Sequence, residues 1–140
     1  MINKVGVVIV AEDPRGAYRF LLRKNSPFNG SPEEWNFVYG HIEDGETALD
    51  CALREAYEEL SLRLESVTPV EYSISRKFPD NKYIHIEYFY ALLKSMTQAI
   101  QLNNESIGYQ WATFEESQKL IIDAEQSGAL EGVIRKVVRL

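Results

Sequence analysis

The sequence predicts an α+β domain in which a mixed β-sheet is packed between helices. Three observations lead there. Strand-like and helix-like stretches interleave without the regular spacing of parallel β-α-β units. The chain has 140 residues, 45% apolar and 11% aromatic, enough for one core and too short for two ordinary domains. Residues 47–60 carry the best helical periodicity: Leu49, Leu53, Ala56 and Leu60 fall on one arc and Arg54, Glu55, Glu58 and Glu59 on another.

In chain order, Val5 to Ala11 is a β-branched run and Tyr18 to Arg23 a second apolar stretch. The DPRG between them is turn chemistry, so the pair reads as a hairpin. KNSPFNGSPEE, residues 24–34, reads as a loop. Trp35 to Tyr39 is a short strand leading into Gly40 and the acidic loop HIEDGE. Thr47 is the expected N-cap of a helix through Leu60, with Asp50 a weaker capping-box partner. Glu71 to Phe78 and Tyr83 to Leu93 are strands flanking the turn PDNK, and Tyr109 to Thr113 is another. Helices at Phe114 to Ile122 and Ala129 to Val138 close a single domain covering residues 1–140, without repeats or low-complexity segments.

The formal charge of -6 and a pI near 5.0 argue against a basic surface built for nucleic acid. One cysteine, Cys51, excludes an internal disulfide framework and a multi-cysteine zinc site. The short apolar run near the start ends too early for a signal peptide or a membrane span. The expectation is a cytoplasmic protein that uses no membrane. Exposed strand aromatics make a homodimer possible.

The stretch REAYEELS, residues 54–61, raises a physical question. Glu55, Glu58 and Glu59 crowd into about one helical turn, where like-charged neighbours repel. A solvated helix face would intersperse lysine at i+4, yet further carboxylates stand just upstream at Glu43, Asp44 and Glu46. A hard divalent cation such as Mg2+ takes oxygen ligands and is typically shared between carboxylates and substrate phosphates, so it would turn this repulsion into coordination.

Gly40, Glu46 and Arg54-Glu55-Ala56-Tyr57-Glu58-Glu59-Leu60-Ser61-Leu62 resemble the Nudix box, G-x5-E-x7-R-E-U-x-E-E-x-G-U with U aliphatic. Every spacing matches, and the departing position is Ser61, where the box has glycine. The resemblance implies an α/β/α sandwich that hydrolyses a nucleoside diphosphate linked to another moiety, using Mg2+ or Mn2+. It implies Glu55, Glu58 and Glu59 as metal ligands with the Gly40 carbonyl, and a Glu46–Arg54 pair fixing the loop to the helix. Glu55, Glu59 and the distant Glu105 are the expected catalytic carboxylates, with Glu55 or Glu105 as base.

The pattern Trp35-x-x-Val38-x-Gly40, together with Ser61, Glu105 and Trp111, resembles the bacterial dATP and dihydroneopterin triphosphate pyrophosphohydrolase branch. That branch implies a nucleotide or pterin triphosphate substrate releasing pyrophosphate. Arg23 and Lys4 would approach its phosphates, Tyr39 would line the entrance, and Ser127, in a closing loop, would contact substrate. Trp35, Tyr88 and Tyr90 are available to stack on a ring, although most aromatics are expected in the core. His41 is read as a backbone-contact residue and Cys51 as a small buried filler. ADP-ribose or diadenosine polyphosphate hydrolysis, and a catalytically silent nucleotide sensor, stay open as alternatives. Pro79 lies where ADP-ribose hydrolases carry a proline, but a hairpin turn already explains it.

Overall fold

The computed structural model describes residues 2–27 and 32–138, so the expected loop 24–34 lies partly outside the described residues. The elements are β1 (Ile2–Glu12), β2 (Tyr18–Asn25), β3 (Trp35–Asn36), β4 (Val38–His41), α1 (Ala48–Leu60), β5 (Thr68–Lys77), β6 (Tyr83–Leu93), β7 (Ser106–Ala112), α2 (Phe114–Leu120) and α3 (Ala124–Val138). They form one mixed sheet of order β3-β2-β1-β6-β5, with β4 paired to β1 and β7 to β2. β1 and β6 run parallel and the other pairings are antiparallel.

β1 is apolar along almost its whole length because both its faces are covered. Val5, Val7, Ile9 and Ala11 face a core closed by Cys51, Ala52 and Leu60 of α1. Val8 and Val10 face the opposite core, closed by Ala129, Leu130, Val133 and Val137 of α3. Helices on both faces make the α/β/α layering. No helix among the described residues is long and apolar enough to cross a membrane.

β1 divides its partners. Lys4 to Val7 pair with β4, while Val10 to Glu12 pair with β2. This division splits the expected strand Trp35 to Tyr39 at Phe37: β3 pairs with β2, and the chain then changes neighbour to reach β1 as β4. The candidate site is lined from both arms of this fork.

Four expectations are corrected. β5 starts at Thr68, before a bulge between Pro69 and Ser73 where Glu71 has φ 65. β7 starts at Ser106 because its pairing with β2 extends to Asn25. α3 starts at Ala124 rather than Ala129, so Ser127 lies in a helix and not in a loop. Gly128 obscures that start in the sequence, yet any side chain there would collide with Tyr72 of β5. Finally, α1 is rotated relative to its apolar arc. Leu49 is 42% exposed, whereas Glu55 and Glu59 are buried with Cys51, Ala52, Ala56 and Leu60.

Candidate active site

The acidic loop is fastened to α1 by Arg54. Its Nε donates to Glu46 Oε2 at 2.7 Å and its Nη2 to Glu46 Oε1 at 3.0 Å, the bidentate fork that favours arginine over lysine. Nη2 also donates to the His41 carbonyl at 3.0 Å, which fits the expected backbone role of that residue. The hydrogen bonds from Arg54, with a further one from the Glu43 amide, hold the Glu46 carboxyl down at about 2. Thr47 caps the helix by accepting from the Asp50 amide at 3.1 Å.

Arg54 also organises the carboxylates. Its Nη1 lies 2.9 Å from Glu55 Oε1 and 3.1 Å from Glu58 Oε2. Glu58 is half exposed and leans on this guanidinium. Glu55 is buried against Gly40, where an added Cβ would run into its carboxyl group. The missing side chain of Gly40 is therefore what lets the carboxyl lie against the β4 backbone.

Glu59 is 1% exposed, and neither of its carboxylate oxygens has a hydrogen-bond partner. Arg23 Nε stands 3.2 Å from Oε1, but its N–H is directed to the Phe37 carbonyl at 3.0 Å. Glu59 thus receives charge compensation without a hydrogen bond. Burial raises the pKa of both Glu59 and Glu55, most strongly at Glu59.

An open cleft of about 340 Å³ lies above these groups, and its lining includes Lys4, Arg23, Tyr39, Gly40, Glu55 and Glu105. Lys4 is partly buried, and its pKa is lowered chiefly by that burial and secondarily by nearby Arg76. Tyr39 lines the cleft, and its hydroxyl is 2.8 Å from that of the buried Tyr88. Arg23 is buried, and its Nη1 donates to Ser106 Oγ at 2.9 Å and to the Glu105 carbonyl at 3.4 Å. Glu105 is therefore close to the helix carboxylates, although 46 residues separate it from Glu59.

Two expected residues are placed differently. Ser127 is inside α3, where its amide donates to the Asp123 carbonyl, and it is not among the residues lining the cleft. Glu58 turns to Arg54, and no group of three carboxylate, histidine or cysteine side chains converges on a metal position among the described residues. Cys51 is the buried filler expected, its thiol pushed up to about 12 chiefly by burial. Tyr88 and Tyr90 are core residues. Sequence reasoning missed Asn103, which holds Glu105 through bonds within the loop, and Ser106, which accepts from the distant Arg23 of β2. Only the turn-forming pair Asn103-Asn104 before Glu105 hinted at them.

The site combines five features: a glycine cradle, buried helix carboxylates, an arginine hub, flanking cations and a loop glutamate. The family model for the NUDIX domain matches residues 2–131. The chain belongs to the Nudix family. Along its length it is 26% identical to a bis(5'-nucleosyl)-tetraphosphatase (asymmetrical) of Caenorhabditis elegans, over 132 residues and 93% of each chain. Its fold is similar to a crystal structure of a C. elegans Ap4A hydrolase, with a TM-score of 0.84, 24% identity and complete coverage of both chains. It is also similar to the E. coli dihydroneopterin triphosphate pyrophosphohydrolase, with a TM-score of 0.79 and 22% identity over 96% of this chain and 95% of that one. As a Nudix member the chain is an enzyme of the pyrophosphohydrolase kind.

Proposed function

We propose that the protein hydrolyses a phosphoanhydride bond of a small nucleotide or pterin polyphosphate with the help of Mg2+ or Mn2+. The observation that carries this reading is Glu59: a buried carboxylate that has Arg23 beside one oxygen but no hydrogen bond to either is costly, and a bound divalent cation would offset that cost. The available donors are all oxygens, which suits a hard divalent ion. Glu55, Glu59 and the Gly40 carbonyl would hold it, joined by Glu58 after a side-chain rotation away from Arg54. When bound, such an ion neutralises phosphate charge and lowers the pKa of coordinated water.

The protein's own groups do the rest. Arg23 and Lys4 flank the cleft and attract the phosphate chain. Arg54 and Glu46 keep the acidic loop against α1, so that Gly40 and Glu55 hold their relative positions. Glu55 or Glu105 accepts the proton from the attacking water, since both line the cleft. Tyr39 forms part of the entrance wall. The cation-bearing walls and the single buried thiol fit a soluble nucleotide substrate in a reducing, cytoplasmic setting.

For the substrate, the first reading is a (deoxy)nucleoside or dihydroneopterin triphosphate cleaved to pyrophosphate and a monophosphate. It is supported by Trp35, Val38, Ser61, Glu105 and Trp111 standing in the pattern of that branch. A second reading, a bis(5'-nucleosyl) tetraphosphate, is favoured by the similarity to the worm tetraphosphatase along 93% of each chain. Product analysis separates them. The protein is incubated with Mg2+ and a panel of deoxynucleoside triphosphates, dihydroneopterin triphosphate, diadenosine tetraphosphate and ADP-ribose. Pyrophosphate plus a monophosphate from one triphosphate supports the first reading. Asymmetric cleavage of the dinucleotide supports the second, and an untouched panel overturns both.

A further inference from the structure

We infer that Ser61, at the position where the family box has glycine, is a positioning residue that fixes the loop carrying Glu105. The inference rests on the proposed function only for the role of Glu105. Ser61 ends α1 in the left-handed region, at φ 59 and ψ 28, where glycine would be free of strain. Its hydroxyl donates to the Gln101 carbonyl at 3.2 Å, and the Gln101 amide donates to the Leu60 carbonyl at 3.0 Å. The end of α1 therefore grips Gln101 by both its N–H and its C=O. The Asn103 amide reaches the Glu59 carbonyl at 3.4 Å, so helix carbonyls that would otherwise lack partners are used to dock the loop.

The seam continues to Glu105. Asn103 Oδ1 accepts from the Glu105 amide at 3.0 Å, and Asn103 Nδ2 donates to Glu105 Oε2 at 3.2 Å. Beyond it, the Glu105 carbonyl accepts from the Ser26 amide at 2.9 Å. Glu105 is thus the far end of a short run anchored on one side to α1 and on the other to the end of β2. Because α1 also carries Glu55 and Glu59, the Ser61 bond sets the loop carboxylate relative to the helix carboxylates. A glycine would end the helix equally well but would leave the Gln101 carbonyl without this donor.

Two variants separate strain from the hydroxyl. Ser61→Gly removes both, and Ser61→Ala keeps the Cβ while removing the donor. Hydrogen exchange of the amides of residues 101–106 and turnover of the substrate found in the panel are measured for each, in the wild-type and Glu105→Gln backgrounds. Both variants are expected to lose protection across 101–106. Both should lower kcat about three- to tenfold in the wild-type background, with KM little changed, the size expected for one lost hydrogen bond. In the Glu105→Gln background they should cost nothing further. Only Ser61→Ala should melt below the wild type, so the shared kcat loss would not follow stability. Ser61→Asn, which tolerates left-handed backbone and carries a donor, should restore protection. Unchanged protection, or equal kcat losses in the two backgrounds, would overturn the inference. If no substrate in the panel is cleaved, the proposed function fails and exchange alone decides: retained protection refutes the seam and lost protection supports it.

Discussion

A glutamate that is 1% exposed and has no hydrogen bond to either oxygen sets a local cost in a fold whose whole stability is small. Gly40 belongs to the same local problem. A methyl group there would overlap the Glu55 carboxyl, so Gly40→Ala should destabilise the fold by about 1–3 kcal/mol and reduce turnover by displacing Glu55. Thermal melting and kinetics check this, and a variant that melts and turns over like the wild type would contradict the cradle. Cys51 makes the opposite prediction. Its buried thiol, pushed up to about 12, should resist a thiol reagent at pH 8 in the native protein and react fully in denaturant. Rapid labelling of the native protein would contradict the burial of Cys51 between α1 and the sheet.

At the scale of elements, the loop between β4 and α1 depends on one ion-pair hub. The Glu46 carboxyl sits at about 2, below the ordinary carboxylate range, chiefly through its bonds to Arg54. A depressed folded-state value means that the pair contributes stability above the unfolded carboxylate pKa and loses it as the pH falls through the folded one. Glu46→Gln should therefore melt below the wild type at pH 7, and the gap should narrow as the pH falls from about 5 to about 3. A gap that stays constant over that range would contradict the pairing. Helix α1 also marks where sequence reasoning reached and where it stopped. Its limits, its cap at Thr47 and its charged arc were legible, because capping and periodicity are local properties. Its orientation was not, because an apolar arc identifies Leu49 as core only if carboxylates are assumed to seek water. The site reverses that assumption at Glu55 and Glu59. Gly128 likewise obscured the first turns of α3, since the reason for that glycine is the distant Tyr72.

At the scale of the whole molecule, β1 is shared between β4 and β2, and this fork brings Lys4, Arg23, Gly40 and Glu105 around α1. The mixed sheet between helices was legible from the alternation of elements. The fork was not, because Trp35 to Tyr39 reads as one strand until its partners are known. The box residues were legible as a set, while the bonds holding Glu105 through Asn103 depend on a loop that meets α1 only in the fold. The central claim is that α1 holds its buried carboxylates for a divalent cation. The most direct test is thermal melting of the wild type and Glu59→Gln side by side, with and without millimolar Mg2+ or Mn2+. Binding to the native state should raise the wild-type melting temperature, by the equivalent of about 2.7 kcal/mol at a hundredfold excess over Kd. Glu59→Gln, which lacks the carboxylate the ion needs, should gain nothing from the ion. A wild type that does not respond, or a variant that gains as much as the wild type, would contradict the claim.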